Sequence, residues 1–434
     1  MLQRLNINPV IVFSLLVFFV PPIVGFWASY YIAGWKALLI ANALSGAGFF
    51  ELAWFVGQRF RDGDDERDDL FPAFRRTDVK NWYRLKFYPF AVTVFWLRTF
   101  MALGSFCFCC VCIKFVLFGH DFRKPLTGTR RKVKEFLYWF FMNVLMLAAF
   151  MPVFNRHEEM DYSEYLGPDY KKTQKVPKTV PTFIANHQAW IDNITLTASP
   201  HLMAGYAAKK STGKVWFLNA MIRGLHSLMI TRGGTPEERD KQIQEIIDRQ
   251  QLCMDDPRFP PIIIYPEGSQ SNGTSLLTFK KGAFVSMLPV TPVVLKYKYM
   301  ENGVNPAWDS MPFLAQAPLQ FCYGLYSVTI HILPPFVPNE YLLKKHADKG
   351  SEEWEIFAWA VRDIMAKFGN FRKDESSLKD KLAYKDFMAG NYDQFTYKGK
   401  VIKAKPFWRT KPKIMPQPEL DGSNQKTEQD KKKE

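Results

Sequence analysis

The chain has 434 residues, and its 57 Lys and Arg outnumber 42 Asp and Glu, which gives a formal net charge of +15 at pH 7. This length exceeds one typical domain, so we expect one sizeable soluble core with additional parts. A basic excess suits a polyanion or an anionic membrane surface. Because the chain carries no RNA-recognition, zinc-finger or basic-zipper signature, we expect a lipid bilayer as partner and no nucleic acid.

The first 154 residues are strongly apolar and predict a membrane-embedded helical region. Four segments are long and apolar enough to insert into a bilayer, at residues 9–33, 37–57, 87–119 and 136–154. Pro21 and Pro22 are expected to kink or split the first segment. That segment is too long for a signal peptide and lacks a clear cleavage site.

The basic loops between these segments constrain the topology. Residues 58–86 hold eight Lys and Arg, and residues 120–134 hold six. The positive-inside rule places both loops in the cytosol, so residues 87–119 cannot make one net crossing. We therefore predict a true hairpin from the first two segments, and a tight hairpin or a half-inserted pair of helices from the third. The fourth would also insert shallowly, and the soluble part would face the cytosol.

Four of the six cysteines fall in one apolar run, at Cys107, Cys109, Cys110 and Cys112. No histidine lies near them in the sequence, so we interpret them as small apolar residues of a membrane segment, with palmitoylation as the alternative. We expect no metal site and no bound cofactor.

The chain after residue 154 predicts a soluble α/β domain. Residues 155–180 read as a polar linker, and Thr235-Pro236-Glu237-Glu238 is a capping box that begins a helix. Strands are predicted at residues 182–185, 202–207, 226–231, 261–265, 290–297 and 325–333, and helices at 213–223 and 236–252. This alternation predicts a largely parallel sheet flanked by helices, with sites at the carboxyl ends of its strands.

A histidine and a carboxylate follow the first of these strands. In Asn186-His187-Gln188-Ala189-Trp190-Ile191-Asp192, four residues separate His187 from Asp192. A carboxylate that binds one imidazole nitrogen fixes the tautomer, so that the other nitrogen can accept a proton. The two side chains would point apart on a regular helix. They can meet only if His187 lies in a loop or cap and Asp192 in the turn that follows.

Further blocks contain candidate ligand contacts. Arg232 ends a predicted strand, and its guanidinium suits phosphate, although a plain surface arginine also fits there. Glu267 lies in Tyr265-Pro266-Glu267-Gly268-Ser269, which is either a ligand-binding turn or an ordinary strand-to-helix turn. Lys280 adds a cation nearby, and Pro292 predicts a sheet edge or bulge beside a pocket. We interpret His226 as a core or strand-end residue.

Taken in order, these blocks resemble the glycerolipid and lysophospholipid acyltransferase superfamily. The resemblance covers roughly residues 150–370 and rests on motif order and spacing. Its four blocks are Asn186-His187 through Asp192, Arg232, Tyr265 through Ser269, and Pro289 through Val293. The stretch from Leu277 to Phe284, with Leu295-Lys296-Tyr297 further on, looks most like the lysophosphatidylcholine acyltransferase branch.

The resemblance implies a function and a role for each motif residue. The protein would esterify the free hydroxyl of a lysophospholipid of the lysophosphatidylcholine or lysophosphatidylethanolamine type, with acyl-CoA as co-substrate and no covalent acyl-enzyme. His187 would act as general base, and Asp192 would orient the imidazole and stabilise its charged form. The substrate-binding set would be Asn186, Arg232, Glu267, Gly268, Ser269, Lys280 and Pro292.

Three positions depart from the family pattern and leave the acceptor open. Ala189 stands where serine is usual, His226 where glycine is common, and Ser269 where threonine is more frequent. A glycerol-3-phosphate or 1-acylglycerol-3-phosphate acyltransferase is therefore an alternative. A catalytically silent membrane scaffold or lipid-binding protein is the alternative from another class.

The domain division that we predict is a membrane region over residues 1–154, an acyltransferase domain over 155–371, and a basic, partly disordered cytosolic tail over 372–434. The sequence ends in Lys431-Lys432-Lys433-Glu434, which resembles a dilysine retrieval signal. We therefore expect the endoplasmic-reticulum membrane as the location, with the catalytic domain on the cytosolic side.

Overall fold

The computed structural model describes residues 9–58, 71–173, 175–209, 213, 216–230, 235–300, 303–307, 311–389, 394–397 and 400–403. The chain divides into two compact units, Met1–Leu378 and Lys379–Glu434. The residues of the C-terminal retrieval-like motif, and residues 404–434 of the predicted tail, lie outside the described part of the chain.

The first helix, α1 (Pro9–Val56), consists of two arms. Within it, non-helical backbone angles occur at Ala33 and Gly34, and Gly34 has a φ of 72°, which glycine adopts without steric cost. Phe26 on one arm and Phe49 on the other both pack edge-on against Trp96, with ring centroids 5.7 and 4.8 Å away. The break predicted at the two adjacent prolines is wrong, because the turn between the arms falls at the glycine.

The third apolar segment is not a tight hairpin. It forms a short helix, α2 (Tyr88–Thr93), followed by the continuous 22-residue α3 (Phe95–Val116). Helix α3 pairs instead with α4 (Gly128–Ala148). Among the described residues, Pro22–Val56 and α3 are long and apolar enough to cross a membrane. Of the four clustered cysteines on α3, Cys109 and Cys110 are buried, Cys112 is partly exposed and Cys107 is exposed.

The α/β domain contains a seven-stranded sheet, which confirms the predicted fold class. The strands of this unit, in chain order, are β1 (Val153–His157), β2 (Thr182–Ala185), β3 (Gly205–Lys209), β4 (Leu228–Ile230), β5 (Ile262–Ile264), β6 (Ser275–Leu276), β7 (Val290–Tyr299), β8 (Tyr326–Ile332) and β9 (Arg372–Lys373). The sheet has the order β1-β8-β7-β2-β5-β3-β4. Strands β7 and β8 are antiparallel, and every other pair of neighbours in this sheet is parallel.

Helices flank this sheet, and the capping box predicted at Thr235 begins one of them with both of its reciprocal hydrogen bonds. The remaining helices, in chain order, are α5 (Ser163–Leu166), α6 (Tyr170–Thr173), α7 (Asp192–Thr197), α8 (Trp216–Gly224), α9 (Pro236–Asp255), α10 (Phe313–Phe321), α11 (Glu340–Lys345), α12 (Glu353–Gly369) and α13 (Leu378–Ala389). Residues of α12 such as Phe357 and Val361 share a buried cluster with Ile184 of β2 and Val294 of β7. In the second unit, β10 (Gln394–Tyr397) pairs antiparallel with β11 (Lys400–Lys403).

The predicted polar linker is part of the folded domain. It contains most of β1, which pairs with β8, and also α5 and α6. Tyr162 and Tyr165 are buried in the same core cluster as α12. The linker interpretation is therefore wrong, because the hydroxyls of these tyrosines and the edge strand pair with elements more than 150 residues later.

Residues just beyond 371 are also paired with the domain rather than forming a free tail. Strand β9 is parallel to β6, and the N–H of Asp374 donates to the Leu276 carbonyl at 2.9 Å.

Pro292 lies on β7, a central strand, and not at the predicted sheet edge. Its carbonyl accepts the N–H of Leu333 at 3.0 Å, one residue beyond the end of β8. The N–H and C=O of one strand residue point toward the same neighbouring strand. Pro292 has no N–H, and the N–H that it lacks would point just beyond the end of β8, where regular strand pairing has stopped.

Candidate active site

His187 and Asp192 meet at the carboxyl end of β2, as their spacing required. His187 lies in the loop after the strand, and Asp192 is the first residue of α7. The imidazole Nδ1 is 2.7 Å from Asp192 Oδ2. A carboxylate only accepts, so Nδ1 carries the proton of this bond and Nε2 is left as the nitrogen that can take another. The His187 side chain is 16% exposed and the Asp192 side chain 0%.

The Asp192 carboxylate is held by donors on both oxygens. Besides the imidazole, Oδ2 accepts the N–H groups of Gln188 at 2.7 Å and Ala189 at 2.9 Å. Oδ1 accepts the hydroxyl of Tyr297, on β7, at 2.6 Å. A buried carboxylate needs such donors because it has left water.

An aromatic ring fixes the plane of the imidazole. The Tyr265 ring stacks on His187 with centroids 4.1 Å apart and an interplanar angle of 17°. The Tyr265 hydroxyl donates to Asn193 Oδ1 at 2.7 Å, and Asn193 is the residue after Asp192. The ring is thus anchored to the same helix that carries the carboxylate.

Glu267 joins the two loops of the site from inside the protein. Its Oε1 accepts the main-chain N–H of His187 at 2.8 Å, and its Oε2 accepts that of Leu277 at 2.9 Å. The residue is 2% exposed. Burial raises the pKa of Glu267 to about 8, and the two N–H donors oppose this rise. The structure gives Glu267 a role in positioning His187, while a direct contact with substrate stays a prediction.

Asn186 also has a structural role. Its side chain accepts from the Leu295 N–H at 2.7 Å and donates to the Leu295 carbonyl at 3.2 Å. The amide therefore imitates a peptide group and extends the pairing of β2 with β7 beyond Ala185. Gln188 donates to the same carbonyl at 2.9 Å, so the loop is held at both sides of His187.

Lys280 and Gly268 come together beside this loop. Gly268 has a φ of 66°, and a Cβ at this position would lie 2.6 Å from the Lys280 Nζ. Ser269 follows and is buried. The structure therefore brings one predicted cation next to the turn that carries Glu267, whereas Arg232 lies outside the described residues.

His226 lies apart from the pair, in the turn before β4, as predicted. Burial, together with Lys134 and Arg249, lowers its pKa to about 4. Among the described residues, no group of three or more His, Cys, Asp or Glu side chains is close enough to hold a metal ion.

The sequence did not identify Tyr297 and Tyr265 as partners of the histidine and aspartate. Tyr265 and Tyr297 were visible only as members of family-like stretches, without a role of their own. Their position beside His187 depends on β7 and β5 flanking β2 in the sheet.

Comparison with known proteins finds a matching family model. Residues 168–296, which contain His187, Asp192 and Glu267, match the family model described as Acyltransferase. The chain therefore contains an acyltransferase domain and is similar to members of the glycerolipid and lysophospholipid acyltransferase superfamily.

Its relatives include proteins of the lysophospholipid type. The chain is 24% identical over 368 residues to the lysophospholipid acyltransferase LPEAT1 of Arabidopsis thaliana, covering 76% of this chain and 89% of that protein. It is 28% identical over 244 residues to lysophosphatidylcholine acyltransferase 2 of Homo sapiens, covering 56% of this chain and 40% of that one. The crystal structure of the Thermotoga maritima 1-acyl-sn-glycerophosphate acyltransferase PlsC aligns at 19% identity and a TM-score of 0.39, covering 64% of this chain and 96% of that one.

Proposed function

We propose that this protein transfers an acyl group from acyl-CoA to the free hydroxyl of a lysophospholipid, giving a diacyl phospholipid. The observation that carries the proposal is the bond between His187 Nδ1 and the fully buried Asp192 carboxylate, which leaves Nε2 available as a base. The names of the relatives support a lysophospholipid acceptor, with lysophosphatidylcholine named among them.

In the proposed reaction, His187 Nε2 takes the proton of the lysolipid hydroxyl as its oxygen attacks the acyl-CoA carbonyl carbon. A carbon–oxygen bond forms, the carbon–sulfur bond breaks, and the imidazolium returns its proton to the departing thiolate. Asp192 stabilises the imidazolium between these steps. General base catalysis of this kind contributes roughly 10²–10⁴ in rate.

The residues around the turn at Gly268 support the binding of a phosphate-bearing acceptor. Lys280 Nζ lies against Gly268, which follows Glu267 and therefore sits close to the His187 loop. An ammonium at this position would attract the phosphodiester of a lysolipid. We keep Arg232 as a second proposed phosphate contact.

A membrane location is supported by the apolar helices. Pro22–Val56 and α3 are long enough to cross a membrane. Helices α3 and α4 also expose large apolar side chains, among them Phe108, Phe115, Phe136 and Phe140. Such a surface suits contact with lipid. We further propose the endoplasmic-reticulum membrane with the domain facing the cytosol, because both basic loops carry the Lys and Arg excess of cytosolic loops.

The test is acyl transfer by membranes that contain the wild type, His187→Ala, Asp192→Asn, or the control His157→Ala, which changes an exposed histidine on β1. Labelled acyl-CoA is offered with lysophosphatidylcholine, lysophosphatidylethanolamine, lysophosphatidate or glycerol 3-phosphate. We expect transfer to the first two, a loss of about 10²-fold or more in the first two variants, and full activity in the control. Equal transfer by wild type and His187→Ala would refute the mechanism, and preference for the last two acceptors would refute the substrate.

A further inference from the structure

We infer that Tyr297 is a positioning residue for the His187–Asp192 pair and sets the basicity of the histidine through the carboxylate. The inference deepens the proposed function and rests on it. Its basis is the 2.6 Å hydrogen bond from the Tyr297 hydroxyl to Asp192 Oδ1, the oxygen opposite the one that binds His187.

The two carboxylate oxygens of Asp192 have different hydrogen-bond partners. Oδ2 faces the imidazole and the N–H groups of the loop, whereas Oδ1 faces β7. A donor on Oδ1 prevents the carboxylate from turning that oxygen toward the imidazole. Without the Tyr297 hydroxyl, the fully buried Oδ1 would lose this hydrogen-bond donor, and the plane of the carboxylate would be less constrained.

Tyr297 is well suited to act as a fixed donor. It lies on β7, which is paired on both sides, with β2 and with β8. Its hydroxyl is also 3.3 Å from Thr195 Oγ1, one turn after Asp192 on α7. Burial and the neighbouring carboxylate raise the pKa of Tyr297 well above its ordinary value, so the phenol keeps its proton.

A hydrogen bond to a carboxylate withdraws electron density from it and lowers its basicity. Asp192 then stabilises the imidazolium less than it would without the phenol. Removing the hydroxyl should therefore move the acidic limb of the rate–pH profile to higher pH, while a stronger donor at the same place should move it to lower pH. The other titratable groups facing this pair are Tyr265 stacked on the ring, Glu267 on the His187 main chain, and Tyr206 of β3, whose hydroxyl donates to the Asn193 carbonyl.

The first experiment compares the wild type, Tyr297→Phe and Tyr299→Phe. Tyr299 lies two residues along the same strand and provides the same chemical change away from Asp192. For Tyr297→Phe we expect kcat to fall about tenfold with little change in KM, and the acidic limb of the rate–pH profile to move up by about half a pH unit. Tyr299→Phe should leave both unchanged. A Tyr297→Phe enzyme with a wild-type profile, or with lower activity and no shift of the limb, would overturn the inference.

A second variant is expected to move the acidic limb of the rate–pH profile in the opposite direction. Tyr297→3-fluorotyrosine keeps the shape of the ring but donates a stronger hydrogen bond, so the acidic limb should move to lower pH. Because 3-fluorotyrosine keeps the hydroxyl, this variant tests the inference even if Tyr297→Phe fails to fold. Shifts in the same direction for both variants would contradict a role through the carboxylate.

The effect of Tyr297 on His187 is also measured without turnover. The rate at which diethyl pyrocarbonate modifies His187, followed by peptide mass spectrometry, is recorded against pH in the full-length protein. We expect the midpoint to rise in Tyr297→Phe and to stay in place in Tyr299→Phe. If the wild type transfers no acyl group, the proposed function fails, whereas this titration still decides whether Tyr297 acts on His187.

Discussion

At the scale of single residues, the site is built from side chains that bind main-chain groups. Glu267 accepts the N–H of His187 and the N–H of Leu277, and Asn186 pairs with both main-chain groups of Leu295. These bonds connect the ends of β2, β5 and β7 around one histidine. The position of His187 therefore depends on groups that need not touch a substrate.

The raised pKa of Glu267 predicts how stability depends on pH. A carboxyl whose folded pKa lies above its unfolded value stabilises the fold fully below the unfolded pKa, roughly 4.3, and loses this contribution as pH rises through about 8. Glu267→Gln is uncharged and has no such dependence. We expect the unfolding free energy of the variant, relative to wild type, to improve by at least about 2 kcal/mol between pH 5 and pH 9.

Thermal or denaturant unfolding in detergent at several pH values measures this difference. The control is Glu238→Gln, an exposed glutamate in the first turn of α9. A constant difference between Glu267→Gln and wild type across this range would show that the Glu267 carboxyl does not titrate there.

At the scale of elements, a buried arginine is one of the groups that attach the α3–α4 pair to the domain. Arg98 on α3 donates to the carbonyls of Ala148, Phe321 and Tyr323, at 2.8, 2.6 and 2.9 Å. The first lies at the end of α4, and the other two at and just beyond the end of α10. Carbonyls at helix ends lack intrahelical donors and carry partial negative charge, which favours a cation there. A charge within an apolar helix is thereby accommodated.

Replacing this arginine should loosen the attachment. We expect Arg98→Leu to reduce the unfolding free energy by about 3 kcal/mol, because it removes charged hydrogen bonds from buried carbonyls. The unfolding midpoint in detergent measures the effect, and Lys114→Leu, at an exposed position of the same helix, is the control. Similar midpoints for the two variants would contradict this role for Arg98.

At the scale of the whole first unit, the segment between α1 and α2 is packed onto the catalytic loops. Arg76 and Asp78 form a buried ion pair at 2.9 Å, and the same carboxylate accepts the Asn305 N–H at 2.6 Å. The Asn272 side chain donates to the carbonyls of Pro72 and Arg75, and its neighbour Ser271 donates its N–H to the His187 carbonyl. The segment that follows α1 is thus connected to the His187 loop by the hydrogen bonds of Asn272 and Ser271.

Breaking this ion pair should release the segment. Asp78→Ala would leave the Arg76 guanidinium buried without its carboxylate, which typically costs about 3–5 kcal/mol. We expect faster proteolysis within residues 71–82 and a loss of acyl transfer of about tenfold or more. Limited proteolysis with mass spectrometry and the transfer assay measure the two effects. Lys80→Ala changes an exposed residue of the same segment and should leave both at wild-type values. Wild-type protease resistance in Asp78→Ala would contradict this anchoring role.

Much of this arrangement was predictable because its signals are local. Six apolar runs became six strands, the capping box at Thr235 began a helix, and the spacing of His187 and Asp192 required a loop followed by a helical turn. Each of these features depends on a few consecutive residues, so backbone geometry and side-chain chemistry are sufficient to predict it.

The order of the strands and the partners of the loops were decided only in three dimensions. That β7 lies next to β2 brings Tyr297 to Asp192 from 105 residues away, and the edge pairing of β1 with β8 incorporates the supposed linker. The adjacent prolines of α1 likewise left the helix intact, and a glycine further along made the turn. The sequence by itself determined the candidate site residues and the elements that carry them. The tertiary structure determined which buried donors hold those groups, because such contacts follow from packing between distant segments and leave no periodic pattern along the chain.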